Sequence, residues 1–194
     1  MRRGLTQLES ASLRTLAALA IVGAGCASSP PTGARDPSRP LPTYAGHATE
    51  LFDDVIEPNA VGLALDGPGT PPRSNPQLRE RTQTGDAVLR VRVETVTAKD
   101  DGVDARYDLG FKVLERLAGQ HPPTESFMVR VDKTSASAPV VKSFQARLSG
   151  KTFVAFVKEF VRSDGDTDYH FHLATDDKDT IAAVKEAGVL GELK

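Results

Sequence analysis

Ala87-Val88-Leu89-Arg90-Val91-Arg92-Val93-Glu94 is the stretch on which the fold turns. Leu89, Val91 and Val93 alternate with Arg90, Arg92 and Glu94. Side chains point to opposite faces of a strand at every step, so this period of two predicts a strand with one buried face. Alternation returns after a loop containing Asp101-Gly102: Tyr107, Leu109, Phe111 and Val113 are set against Arg106, Asp108, Gly110 and Lys112. The two runs predict a hairpin. A third strand follows the break at Gly119 to Pro123, with Phe127, Val129 and Val131 inward and Met128, Arg130 and Asp132 outward.

Further along, the pattern is less clean. Phe144 and Leu148 predict a short helical piece ahead of Ser149-Gly150. The run from Lys151 to Val161 also fits a helix stripe through Phe153, Phe156, Val157 and Phe160, but its Val and Phe content favours a fourth strand. Tyr169, Phe171 and Leu173 give a fifth. Asp177 is placed to cap a last helix carrying Ile181, Val184 and Ala187, with Gly188 as its stop.

Before Ala87 the reading is of short helices and loops over residues 47–86. Leu51, Phe52, Val55 and Ile56 have helical spacing behind Thr49, and Pro58 ends the run. Asp66 to Pro76 is rich in chain breakers. Asn75 then caps a polar helix that starts at Pro76 and stops at Gly85. Residues 27–46 hold five prolines and almost nothing apolar, so they are expected to stay an extended, disordered tether.

The beginning of the chain supplies an address. Arg2, Arg3 and Arg14 precede the apolar run Leu16 to Val22, and small residues lead to Cys26, the one cysteine. The apolar run is about half the ~20 residues that a membrane-spanning helix needs. Leu16 to Cys26 resembles the signal of bacterial lipoproteins, although Gly23 stands where that family usually has Leu, Val or Ile. The resemblance implies removal of residues 1–25, a lipid on Cys26, and a tether over 26–46. It also implies the cell envelope as the destination. Ala27 and Ser28, with no Asp after the cysteine, point to the outer membrane. An ordinary secretory signal cut near Ala27 is the alternative.

Cutting there removes three Arg and one Glu, taking 24 basic and 26 acidic residues to 21 and 25, a formal charge of −4. A mildly acidic chain has no general attraction to phosphate backbones, and no nucleic-acid partner is expected. Lipidation of Cys26 would leave no thiol for a disulfide, a metal or nucleophilic attack.

Five strands over residues 87–194, with a helical insertion after the third and a helix at the end, define a mainly β, α+β fold. The pattern resembles small antiparallel OB-like barrels, closed so that no sheet edge is exposed. An open sheet backed by the flanking helices is the alternative.

Asp168, His170 and His172 fall on one face of the fifth strand. Two imidazoles and a carboxylate are a ligand set for Zn²⁺, and the opposing reading is a solvated strand face. Asp164, Asp166 and Asp168 open like a calcium loop, but Tyr169 and Thr175 occupy the positions that need Gly and Glu. Gly150-Lys151-Thr152 lacks the earlier glycine of a phosphate loop, since residue 145 is Gln. No serine has a recognisable triad spacing. His47 and His121 read as surface residues.

The sequence thus favours a non-enzymatic envelope lipoprotein that binds or scaffolds another envelope protein and carries no cofactor. A divalent-metal protein or hydrolase using Asp168, His170 and His172 is one alternative. A small-ligand carrier is the other.

Overall fold

A computed structural model describes residues 40–63, 70–99, 106–121, 123 and 125–192. Helices α1 (Ala48–Leu51), α2 (Pro76–Thr84), α3 (Ala138–Leu148) and α4 (Lys178–Glu192) accompany six strands. These are β1 (Val55–Ile56), β2 (Ala87–Lys99), β3 (Arg106–Ala118), β4 (Ser126–Asp132), β5 (Thr152–Val161) and β6 (Thr167–Thr175). They form one sheet in the order β1-β6-β5-β2-β3-β4.

The expected hairpin is present as β2–β3, antiparallel, with Val91 opposite Val113 and Val93 opposite Phe111. Its Asp101-Gly102 loop lies outside the described residues, as do Cys26 and the signal before it. Three register shifts interrupt the β2–β3 ladder, and such bulges bend and twist a strand. The sheet accordingly curls into a half-barrel. β4 comes within 8 Å of β6, Cα to Cα, without joining it in a ladder. Across that seam Arg130 pairs with Asp168 at 3.2 Å and the Phe127 and Tyr169 rings lie 5.9 Å apart. The expected closure by hydrogen bonding is therefore replaced by side-chain contacts.

The sheet has two apolar faces. Inside the curl, Leu89, Val91, Val93, Leu109, Phe111, Val129, Phe153, Phe171 and Leu173 pack together under Val141 and Leu148 of α3. On the outside, Val88, Val154, Phe156 and Phe160 meet Leu51, Phe52, Leu78, Ala183 and Val184 from α1, α2 and α4. Both cores draw on residues before and after Ala87, so the described part of 47–86 folds as one body with the strands.

Four expectations change. The strand count is six, because Val55-Ile56 leaves the helix expected there and lies parallel to β6, opposite His172 and Leu173. Phe52 ends α1, and Asp54, with φ of 52°, turns the chain out of it. His47 occupies the N-cap position of the short helix without a side-chain capping bond, and Thr49 lies inside the helix. The tether gives way to the domain sooner than residue 46: Val161 N–H donates to Pro42 O at 3.0 Å, and Tyr44 packs on Phe160. Finally, α4 runs through Gly188. A Cβ there would lie 3.2 Å from Ala118 Cβ, so this glycine allows close approach of helix and sheet.

Other local signals act as read. Asn75 Oδ1 accepts from the Gln77 and Leu78 N–H groups at 3.0 and 3.2 Å, and Pro76 opens α2. Asp177 Oδ1 accepts from Thr180 N–H at 2.8 Å to cap α4.

Gly119 permits the close turn at the end of β3. Its φ is 77°, and an added Cβ would lie 2.4 Å from Asp86 O and 2.8 Å from Ala87 Cα. Gly119→Ala is expected to lower the unfolding free energy by more than the ~1–2 kcal/mol that left-handed backbone alone costs. Urea denaturation checks this, and a loss below that figure would mean the turn relaxes freely.

Candidate functional site

The outer face of β6 presents Asp168, His170 and His172 as alternation requires, but their partners separate them. Asp168 Oδ2 accepts from Arg130 at 3.2 Å and from Arg162 at 3.4 Å. It belongs to the barrel seam. The two histidines face a segment that sequence reading did not connect with them, Asp53 to Glu57. Among the described residues, no group of three or more His, Cys, Asp or Glu is arranged to hold a metal.

His172 is 6% exposed. Its Nδ1 lies 2.8 Å from Asp53 Oδ1 and its Nε2 lies 3.2 Å from Glu57 Oε1. Burial opposes a charge on the ring, but hydrogen bonds to Asp53 and then Glu57 outweigh it and raise the pKa above 6.5. With Asp53 and Glu57 both ionised, the two contacts together require an imidazolium, since a neutral ring has one N–H.

His170 Nδ1 lies 2.7 Å from Asp54 Oδ2, and the ring stacks on Tyr44, 3.4 Å between centroids and 10° from parallel. Burial, partly offset by the His170 hydrogen bond, pushes the Asp54 carboxyl above its ordinary value. The phenol of Tyr44 donates to Phe52 O at 2.6 Å, and burial and the nearby Asp54 and Asp53 charges hold its proton firmly.

Backbone bonds fix the same segment. Asp54 N–H donates to Phe171 O and Glu57 N–H to Leu173 O, both at 2.9 Å, while Phe171 N–H donates to Asp54 Oδ1 at 3.1 Å. Ser137 Oγ donates to Asp54 O at 2.5 Å and accepts from Ile56 N–H at 2.8 Å. An aspartate is among the few residues that take a left-handed backbone, and here the surroundings hold it there from several sides.

Arg81 completes the group from α2. It is 4% exposed, donates from Nε to Leu51 O at 2.5 Å and approaches Glu50 O and Asp53 Oδ2 at 3.4 and 3.5 Å. Burial lowers its pKa, offset in part by Asp53 and Glu57. The arrangement is a closed acid–base cluster that ties the segment before β1, α2 and β6 together.

The other motifs keep their plain readings. Asp164 and Asp166 lie in the β5–β6 turn, where Asp164 Oδ1 accepts from Asp166 N–H at 3.1 Å and Asp164 pairs with Arg162 at 2.9 Å. Thr152 opens β5, so Gly150-Lys151-Thr152 leads into a strand where a phosphate loop needs a helix. His47 bridges Glu50 and Glu80, 2.9 Å from each, on the surface. Inside the curl, where a carried ligand would sit, Phe111, Phe153 and Phe171 are packed together.

The comparisons add no identity: no family model matches the chain, and no curated protein searched matches it significantly.

Proposed function

We propose that this chain is a lipid-anchored envelope protein, held at the outer membrane through Cys26, whose half-barrel is a non-enzymatic binding or scaffolding module for another envelope protein. The address rests on the Leu16 to Cys26 signal. The module reading rests on the outer face of β3 and β4, of which Met128 is 60% exposed and Leu114 41% exposed.

The strand order supports the OB-like reading of the domain. Strands β2 to β6 run β6-β5-β2-β3-β4 with α3 between the third and fourth, and the third and fifth meet at an unladdered seam. In partly open five-stranded barrels the face of the second and third strands is a common binding surface. Here that is β3–β4. Several of its charges are paired, Lys99 with Asp108 at 2.5 Å, Arg106 with Asp108 at 3.7 Å and Arg130 with Asp168 at 3.2 Å, and Lys112 and Asp132 add one charge of each sign. A balanced polar surround with an apolar centre favours a protein partner over a nucleic acid, which would want a continuous basic track.

Crosslinking in intact cells with a C-terminal tag, followed by pull-down, is the test. One envelope protein is expected in near-stoichiometric amount, lost in Met128→Asp and retained in Val189→Asp, an equally exposed change on α4. Stability of both variants should stay within about 0.5 kcal/mol of the parent, as for surface substitutions generally. Recovery of the same partner by Met128→Asp would sink the proposed face. Membrane extraction and intact mass should show acyl chains that Cys26→Ala lacks.

A further inference from the structure

We propose that Asp53 to Glu57 is a proton-operated strap on β6, closed while the His172 ring carries two protons and released when it loses one. The segment is short, and its ladder with β6 involves only Val55 and Ile56. Much of its hold on the sheet is therefore in side chains, and two of those contacts converge on a single buried ring.

The charge count around His172 explains the switch. From the strap come Asp53 at 2.8 Å and Glu57 at 3.2 Å. Arg81 of α2 reaches Asp53 at 3.5 Å. From β5, Phe156 faces His172 across the ladder, and Lys158, opposite His170, directs its Nζ to Thr84 O at 2.5 Å. On β6 itself His170 is engaged by Asp54 at 2.7 Å. Two carboxylates are therefore balanced by Arg81 and an imidazolium. Once the ring is neutral, one carboxylate oxygen, on a side chain that is 28% (Asp53) or 36% (Glu57) exposed, faces the lone pair of a buried nitrogen and loses its donor there.

The direction of the pH response follows. The closed state raises the His172 pKa above the 6.5 of a free ring. Closure thus takes up a proton, is fully favoured below 6.5, and weakens as pH climbs through the raised value. Opening would uncover the β6 edge that Asp54 and Glu57 N–H groups now cover through Phe171 O and Leu173 O.

Amide hydrogen exchange of the full chain, corrected for the intrinsic rate, gives the test. The reporters are the Asp54, Ile56 and Glu57 amides, and the Val91 and Ala155 amides of the central strands serve as reference. Reporter protection is expected to fall about tenfold per pH unit between 6.5 and the ring's own midpoint, with the reference amides unchanged. Ring resonances should place that midpoint above 6.5. In Glu57→Gln the side-chain amide can donate to the neutral ring, so the strap should stay protected across the same range. Three results would overturn the proposal: a His172 midpoint at or below 6.5, reporter protection that is flat or falls together with the reference amides, or an unchanged pH slope in Glu57→Gln.

Discussion

Phe156→Ala is expected to remove about 3–5 kcal/mol from the unfolding free energy, the range for emptying a fully buried aromatic site. Phe156 is 1% exposed on β5, on the sheet face covered by α1, α2 and α4. Its ring lies 6.2 Å from that of His172. The void would therefore open beneath the acid–base cluster as well as under the helices, with little freedom for the surroundings to collapse. Since single domains hold only about 5–15 kcal/mol in total, the variant should be near the edge of folding at 37 °C. Urea denaturation beside Met128→Ala is the measurement. Met128 is 60% exposed and its truncation should cost about 0.5 kcal/mol or less. Equal costs for the two would mean that the outer face of β5 is not a core.

That second core also explains what sequence could and could not convey. Strands with one wet face declared themselves: Leu89, Val91 and Val93 alternate with charges, and each is at most 1% exposed. β5 did not, because Phe153 and Ala155 pack inside the curl while Val154 and Phe156 pack outside it, so the run is apolar at every step. A strand buried on both faces loses its period of two and reads equally as a helix stripe. The sixth strand was hidden for a different reason. Val55-Ile56 is too short to carry a period, and what makes it a strand is pairing with β6, more than a hundred residues later.

The site divides the same way. His170 and His172 were legible as residues sharing a face of β6, and that much depends on local geometry alone. Their real partners were not. Asp53, Asp54 and Glu57 carry no spacing signal that links them to a distant strand, and in sequence Arg81 is one more charge on a polar helix. Parity groups Asp168 with the histidines, yet the curl of the sheet carries it to Arg130 across the seam. Parity assigns a face, whereas curvature decides which part of that face is shared.

Arg81→Met separates the structural and electrostatic duties of the cluster. Methionine keeps much of the stem volume, so packing changes little. The lost donors leave Leu51 O without its 2.5 Å bond and Asp53 with the His172 imidazolium as its remaining cation. Leaving a buried acceptor without its donor costs about 1–3 kcal/mol. Asp53 keeps 28% exposure and its 2.8 Å contact with His172, so about 1–3 kcal/mol is expected here, chiefly from Leu51 O, measured by urea denaturation at pH 6. The second readout moves the other way. The Arg81 charge lowers the His172 pKa, so its removal should raise the ring's midpoint further in an NMR titration. The variant would be less stable overall, yet its His172 would hold the second proton to higher pH. A purely packing role for Arg81 predicts the stability loss with no change in titration. An increase in the His172 midpoint alongside that loss assigns Arg81 a place in the charge balance around the ring.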